Sequence, residues 1–337
     1  MPLLTRKKLV LVETEATELT DAGPTTGDNF LLCEEATVTP NQAVIERPSL
    51  KPYWSPLKSV AGGYYADWSI TFELKGAADD GAGNVGIPDW DPVFRACGMK
   101  RVREDATPQW FKYQPYTTGV DLSGDADAEE AKSMTLWLYE DGTVWKLTGC
   151  HGNLSLSMTA GERVMVTAEG QGFCTSANVY QGHADLAFPT SVTRDGELPP
   201  VALSIGFEIG GVATTVYKAS TFSFDLGNEI GLRPNMNRLD GYQGAVITGR
   251  NPTGAIDPEM DLIATKDFYA LIKDQTAGAM QMTLNAGGGG GERIDIDAPV
   301  AQVVSFAEGD RNGVITADLG LAFRESSGDD ELVIKVY

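Results

Sequence analysis

The sequence predicts a mainly β protein made of two tandem β-sandwich or β-barrel domains, each with one short flanking α-helix. Three observations lead there: strict two-residue alternation in many short segments, a scarcity of helical periodicity, and an internal repeat in the order of the segments.

Alternation is clearest at Asn153-Leu154-Ser155-Leu156-Ser157-Met158 and at Arg293-Ile294-Asp295-Ile296-Asp297, where apolar and polar side chains take turns as on a strand with one wet face. Met134 to Leu147 reads as two strands joined at Asp141-Gly142, a dipeptide that tolerates the positive φ of a tight turn. The best helical candidates are Trp90 to Cys97 and Thr265 to Lys273, both short and both opened by an acidic residue that suits a helix N-terminus.

These two helices hold equivalent places in the repeat. The first copy runs from a strand at Glu35 to Thr39, through a long proline-containing loop, to a strand at Trp68 to Leu74 and then the helix. Its tail is Met134 to Leu138, Val144 to Leu147, Leu154 to Met158 and Val164 to Phe173. The second copy answers with Thr221 to Asp225, a loop containing Arg233-Pro234 and Asn251-Pro252, a strand near Ala255 to Ile263, and the helix. Its tail is Met280 to Leu284, Ile294 to Asp297, Val300 to Phe306 and Val314 to Phe323.

The main departure is a long acidic insertion near residues 98–133, expected to be a surface excursion because exposed loops tolerate length best. The polar segment before Pro199-Pro200 favours an extended connection. The expected organisation is an N-terminal arm at 1–30, a first domain at 31–177, a linker at 178–200 and a second domain at 201–337.

Composition narrows the function. The formal charge of -21, from 47 acidic against 26 basic residues, repels polyanions, so adhesive binding to nucleic acid or anionic lipid is disfavoured. Glu13 and Glu15 interrupt the apolar run after Arg6-Lys7-Lys8 before it could serve as a signal-peptide core. Charged residues, glycine or proline break every run that could span a membrane. Cys33, Cys97, Cys150 and Cys174 are widely spaced beside apolar residues, which suits reduced, buried thiols.

Chemistry-bearing motifs are missing. Only His151 and His183 are available, without a nucleophile-elbow serine or cysteine, so catalysis is not expected. Cys150-His151 lacks the paired spacings of a zinc site, and Asp79 to Asn84 and Asp89-Trp90-Asp91 lack the ligand pattern of a calcium loop. Gly287 to Gly291 has no following Lys-Ser or Lys-Thr and reads as a hairpin tip rather than a phosphate loop. No cofactor and no metal is expected. Pro48, Pro52, Tyr53, Trp54, Pro56, Tyr64 and Tyr65 enrich the first long loop in proline and aromatic groups, either as a contact surface or as packing over the loop's own sandwich.

Over nearly its whole length the chain resembles the tail tube proteins of long-tailed, non-contractile bacteriophages, in particular those with two tube domains in tandem. The pieces that carry the likeness are Arg6 to Leu11, Trp90 to Gly98, Gly142 to Gly152, Asp225 to Asn228, Gly249 to Gly254 and Ala264 to Tyr269. The resemblance implies a structural virion protein, assembled in the bacterial host cytoplasm. Three chains would form a pseudo-hexameric ring, and stacked rings would form the conduit for DNA ejection. It implies tape-measure, tail-tip and tail-terminator proteins as partners, no membrane, and DNA that passes without specific binding.

On that reading the lumen candidates are Thr167, Glu169 and Gln171 in the first copy and Asp295, Asp297, Thr316 and Asp318 in the second. All lie on polar sides of alternating strands, and the alternative is the outer surface of the tube. Pro52, Tyr53 and Trp54, with the stretch from Arg233 to Pro252, are the candidates for contact between rings. The competing class is a carbohydrate-binding or adhesin β-sandwich, since exposed Trp and Tyr can stack on sugar rings. A third is an enzyme built on a carboxylate pair, which the sequence does not bring together.

Overall fold

The computed structural model describes residues 7–25, 29–77, 85–104, 109–117, 128–174, 180–182, 208–209, 218–275, 277–284 and 293–337. Strands dominate, as alternation requires. In chain order they begin with β1 (Lys8–Thr14), β2 (Phe30–Leu31), β3 (Cys33–Ile45) and β4 (Val60–Glu73), followed by helix α1 (Asp91–Ala96). Then come β5 (Met99–Glu104), β6 (Trp110–Pro115), β7 (Ala128–Glu129), β8 (Met134–Glu140), β9 (Thr143–Thr159), β10 (Met165–Phe173), β11 (Tyr180–Gly182) and β12 (Glu208–Ile209). The remainder is β13 (Ala219–Asp225), β14 (Asn228–Pro234), β15 (Tyr242–Arg250), β16 (Thr253–Pro258), α2 (Phe268–Lys273), β17 (Ala277–Leu284), β18 (Ile294–Arg311), β19 (Val314–Arg324) and β20 (Val333–Val336).

The two halves share one pairing order, antiparallel throughout. In the first it runs β8, β9, β10, β4, β3. In the second it runs β17, β18, β19, β16, β13. Two segments that read as separate strands in each copy are one long strand: β9 has 17 residues and β18 has 18. Their opening halves lie in an outer sheet, against β8 and β11 for β9 and against β17 and β20 for β18. Their closing halves turn into an inner belt, with a register shift near the bend in each. The β8–β9 hairpin closes at Asp141-Gly142 with Gly142 at φ 84°, the conformation glycine supplies without strain.

The described part of the insertion is not a surface excursion. Among its described residues, β5 and β6 form a hairpin and β7 adds to β5. β6 then pairs with β20, so this part of the first copy extends the outer sheet of the second. Met99 and Tyr113 are fully buried there, and Trp110 stacks on Tyr337 with ring centroids 5.0 Å apart. Alternation in Trp110-Phe111-Lys112-Tyr113 already had the period of a half-buried strand; the length of the segment concealed it.

The loop expected from Arg233 to Pro252 is also ordered differently. β14 and β15 make a two-stranded hairpin of their own. The first long loop is likewise about half strand, because β3 and β4 stay paired from Cys33↔Phe72 out to Ile45↔Val60, and only residues 46–59 form the loop between them. The two hairpins pack side by side: Tyr65 meets Tyr242 edge-on at 5.8 Å, and the Tyr64 amide donates to the Asp240 carbonyl at 3.0 Å.

One apolar core runs through both copies. Leu156 and Met158 of β9 and Phe222 and Phe224 of β13 join a cluster that reaches Trp68, Phe94, Leu319 and Phe323. Each such side chain contributes roughly 1.5–3 kcal/mol by leaving water. The glycine run at 287–291, His183 and most of the 178–200 connection fall outside the described residues.

Candidate functional site

The belt strands of the two halves form one continuous sheet. β13 pairs with the closing half of β9, from Thr221↔Thr159 to Asp225↔Ser155. The order is therefore β3, β4, β10, β9, β13, β16, β19, β18, four strands from each copy.

Cross-strand partners point to the same side, so one face of this belt can be read off the register. Thr71 sits opposite Thr167, Thr167 opposite Ser155, Ser155 opposite Asp225, and Asp225 opposite Thr253. The opposite face is the core, with Ile70, Ala168, Leu154, Phe222, Ile256 and Leu319 all buried. The outward face is small, polar and acidic. Glu35, Glu169, Asp225 and Asp318 are exposed on it, and Asp67 and Asp257 are half-buried.

Its polar groups tie neighbouring strands together. The Thr71 and Thr167 hydroxyls are 3.1 Å apart, and Asn153 donates to Asp225 at 2.7 Å across the junction of the copies. Burial alone would raise the Asp257 carboxyl, but hydrogen bonds from Ser220 and Thr221 outweigh it and hold the group below the ordinary carboxylate range. Arg311 pairs with Asp257 at 3.3 Å and with Glu259 at 3.0 Å at one end of the face. Arg163 pairs with Glu73 at the other. The remaining carboxylates give the surface its negative field.

Of the seven lumen candidates, the structure brings Thr167, Glu169, Gln171, Thr316 and Asp318 to this face. Thr316 is buried and donates to Asp318 at 3.3 Å. Asp295 and Asp297 lie in the opening half of β18, between β17 and β20, with Asp295 buried beside Arg293 and Asp297 paired to Lys335 at 2.6 Å. They belong to the outer sheet, because β18 changes sheets between them and Ser305. Glu35, Asp67, Asp225 and Asp257 were missed as members of the face. Their signal was the same alternation, present in Thr221-Phe222-Ser223-Phe224-Asp225, but which strands share a sheet is not written in a single strand.

The contact candidates divide in the same way. Pro52, Tyr53 and Trp54 are exposed at the tip of the β3–β4 hairpin, with Trp54 101% accessible. Arg233 is exposed near the end of β14, whose hairpin tip also shows Met236 and Leu239 to solvent. Pro252 is buried, and its carbonyl accepts from the Phe323 amide at 3.1 Å.

The cleft between the halves, about 560 Å³, is lined by Glu15, His151, Arg250 and Asp329 among others. Two of its charged groups find partners within the chain: Arg250 pairs with Asp329 at 2.9 Å and Glu331 at 3.1 Å, and Glu15 accepts from the Ser133 hydroxyl at 2.7 Å. Cys97 and Cys150 are buried thiols pushed up by desolvation, Cys174 is pushed up to about 11, and burial lowers His151. Among the described residues, no three His, Cys, Asp or Glu side chains are placed to hold a metal ion, and no helix is long and apolar enough to cross a membrane.

A family model described as phage tail tube protein matches residues 5–322. No curated protein matches the chain.

Proposed function

Because the chain belongs to the phage tail tube protein family, a structural component of the virion tail that assembles into a tube, we propose that its belt is the wall of a DNA conduit. In this reading each repeat is one tube unit, 31–177 and 201–337, and three chains close a ring of six similar units. Rings stack into the tail of a long-tailed, non-contractile phage. The protein does no chemistry; it supplies a passage.

The observation that supports this best is the continuity of the belt through both copies, with one face apolar and packed and the other small, polar and acidic. A sheet that continues from unit to unit closes only by rotation about an axis, and closure removes the exposed edges that otherwise invite aggregation. With the polar face inward, Thr167, Glu169, Gln171 and Asp318, joined by Glu35, Asp67 and Asp225, line the lumen, with Thr316 buried beside Asp318. Carboxylates there repel phosphates, so DNA slides rather than sticks. Asp295 and Asp297 stay outside the lumen.

Stacking falls to the two hairpins, which extend beyond the belt. Pro52, Tyr53 and Trp54, with Arg233 beside the second tip, meet the adjacent ring. Tape-measure, tail-tip and tail-terminator proteins set the length and ends, and assembly takes place in the host cytoplasm. The test is negative-stain microscopy of the purified protein at rising concentration, with mass determination of small oligomers. Hollow tubes or three-chain rings are expected. Trp54→Ala should lower tube yield without changing the subunit's melting temperature; normal tube yield would remove Trp54 from the contact, and a persistent monomer of the unaltered protein would count against the whole reading.

A further inference from the structure

The ring reading leaves open how one chain joins the next, and the molecule contains its own template for that joint. Within the chain, β13 lies along the closing half of β9, on the side that β8 occupies along the opening half. In the second copy, β17 flanks the opening half of β18 as far as Gln302. Beyond Gln302 that side carries no strand among the described residues, and β18 continues to Arg311 paired only with β19. The strand equivalent to β13 is β3, whose only pairing among the described residues is with β4. Among its described residues, one chain thus presents one empty place and one unplaced strand, at opposite ends of the belt.

Equivalent residues follow from the registers. Ile70 lies between Ala36 and Ala168, as Ile256 lies between Phe222 and Leu319. A bulge fixes this match. Two residues along, Phe72 pairs with Cys33 and Pro258 with Ala219, so β3 and β13 each carry one extra residue over the same interval. Ala168 then pairs with Leu154, and Leu319 with Phe306. The internal joint sets Phe222 opposite Met158, four positions beyond Leu154. Four positions beyond Phe306 is Asp310.

On the ring reading, we infer that β3 of one chain pairs antiparallel with the closing half of β18 of another, Ala36 opposite Asp310 and Thr39 opposite Ala307. The same register sets Glu35 opposite Arg311, Thr37 opposite Gly309 and Val38 opposite Glu308. The partner is a second copy of this chain, bound by strand addition at its sheet edge. Charge favours the match only through rearrangement: Glu35 faces the Arg311 position, where Arg311 already pairs with Asp257 and Glu259, and Lys8, which pairs with Glu140 at 2.8 Å and donates to the Ala36 carbonyl at 3.1 Å, gives that carbonyl up to the incoming strand and meets the Asp310 position. The inner faces differ from the internal joint. There Phe222 and Phe224 meet Met158 and Leu156, whereas Ala36 and Val38 would meet Asp310 and Glu308. Joints between chains are accordingly less apolar than the joint within a chain.

The test is a disulfide trap. Thr39 and Ala307 are both exposed in the single chain, so T39C and A307C placed in the same chain leave its fold intact. Mild oxidation of assembled rings should convert most chains into covalent trimers. T37C with A307C, displaced by two residues, should give at least about tenfold less, because a disulfide needs Cβ atoms about 4 Å apart. In the unaltered protein, amide exchange at 35–39 and 307–311 should slow on assembly by about a hundredfold or more, toward that of 155–159 and 221–225. Rings that trap the displaced pair instead, or whose 35–39 and 307–311 amides stay unprotected, would overturn the register while leaving the ring reading in place. Absence of any ring would overturn both.

Discussion

The two halves of the belt share a backbone plan and fill it differently. In the first, Trp68 of β4 lies opposite Gly170 of β10, and the indole covers Gly152 as well, where an added Cβ would come within 2.8 Å of the ring. At the equivalent pair in the second, β16 has Gly254 and β19 has Leu321, and Phe323 covers the glycine at the same 2.8 Å. The large and small partners have changed strands. Pairing order and bulge position therefore belong to the backbone plan, while each copy solves its own volume problem, as close packing demands.

The largest expected effect tests that trade. Trp68→Ala should lower unfolding stability by about 3–5 kcal/mol, read from denaturant melts, because it empties a fully buried site. The lower end is favoured, since the Trp68 indole nitrogen has no hydrogen-bond partner among the described residues and its loss removes an unsatisfied donor. Exchanging the pair as the second copy does, Trp68→Gly with Gly170→Leu, should not restore stability. A Cβ at 170 would fall 2.0 Å from the His151 carbonyl oxygen, a backbone atom that cannot move aside. A double variant as stable as the parent would show that the two packings are interchangeable after all.

What the sequence made legible follows from the range of the interaction that decides each feature. Hairpins, short helices and alternating faces depend on neighbours a few residues apart, so the β8–β9 turn, α1, α2 and the polar sides of β10 and β19 could be read directly. Long β9 and β18 could not be recognised as single strands, because their change of sheet interrupts the alternation at Thr148-Gly149-Cys150 and at Val303-Val304-Ser305. The destination of 98–133 depends on β20, more than two hundred residues away, and nothing local announces it. Asp295 and Asp318 look alike as alternating carboxylates, yet one is buried in the outer sheet and the other exposed on the belt.

The 98–133 segment gives the next expected effect, in a feature that only the first copy shows among the described residues. Asp91 at the start of α1 is buried and accepts from the Tyr113 hydroxyl at 2.8 Å, with Arg101 at 3.0 Å and Arg95 at 3.8 Å. Burial raises its carboxyl, and the two arginines and the tyrosine oppose that rise. Tyr113→Phe keeps the ring, which packs on Trp90 and Phe94 at 4.8 and 5.7 Å, and removes the donor. Stability should fall by about 1–2 kcal/mol, and the Asp91 carboxyl should titrate still higher. A change within error would mean that the arginines alone satisfy Asp91, and that the insertion is held by packing rather than by this network.

The smallest expected effect compares the helices. At α2 the Asp267 side chain accepts from the Ala270 amide at 3.0 Å, satisfying one of the donors that a helix start leaves open. At α1 the residue in that position is Trp90, which makes no side-chain cap; Pro92 and the acidic Asp91 occupy the first turn instead. Asp267→Ala should therefore cost about 0.5–1 kcal/mol, and Asp267→Ser should recover most of it, because serine offers the same acceptor. Helix α2 also carries buried Phe268 and Leu271, so a fraying first turn should appear as faster exchange at the Ala270 amide before it appears in the melt. If exchange and stability both stay unchanged, α2 is held by those two side chains, as α1 is by its buried face, and the cap is an ornament of the second copy rather than its substitute for the first copy's charged network.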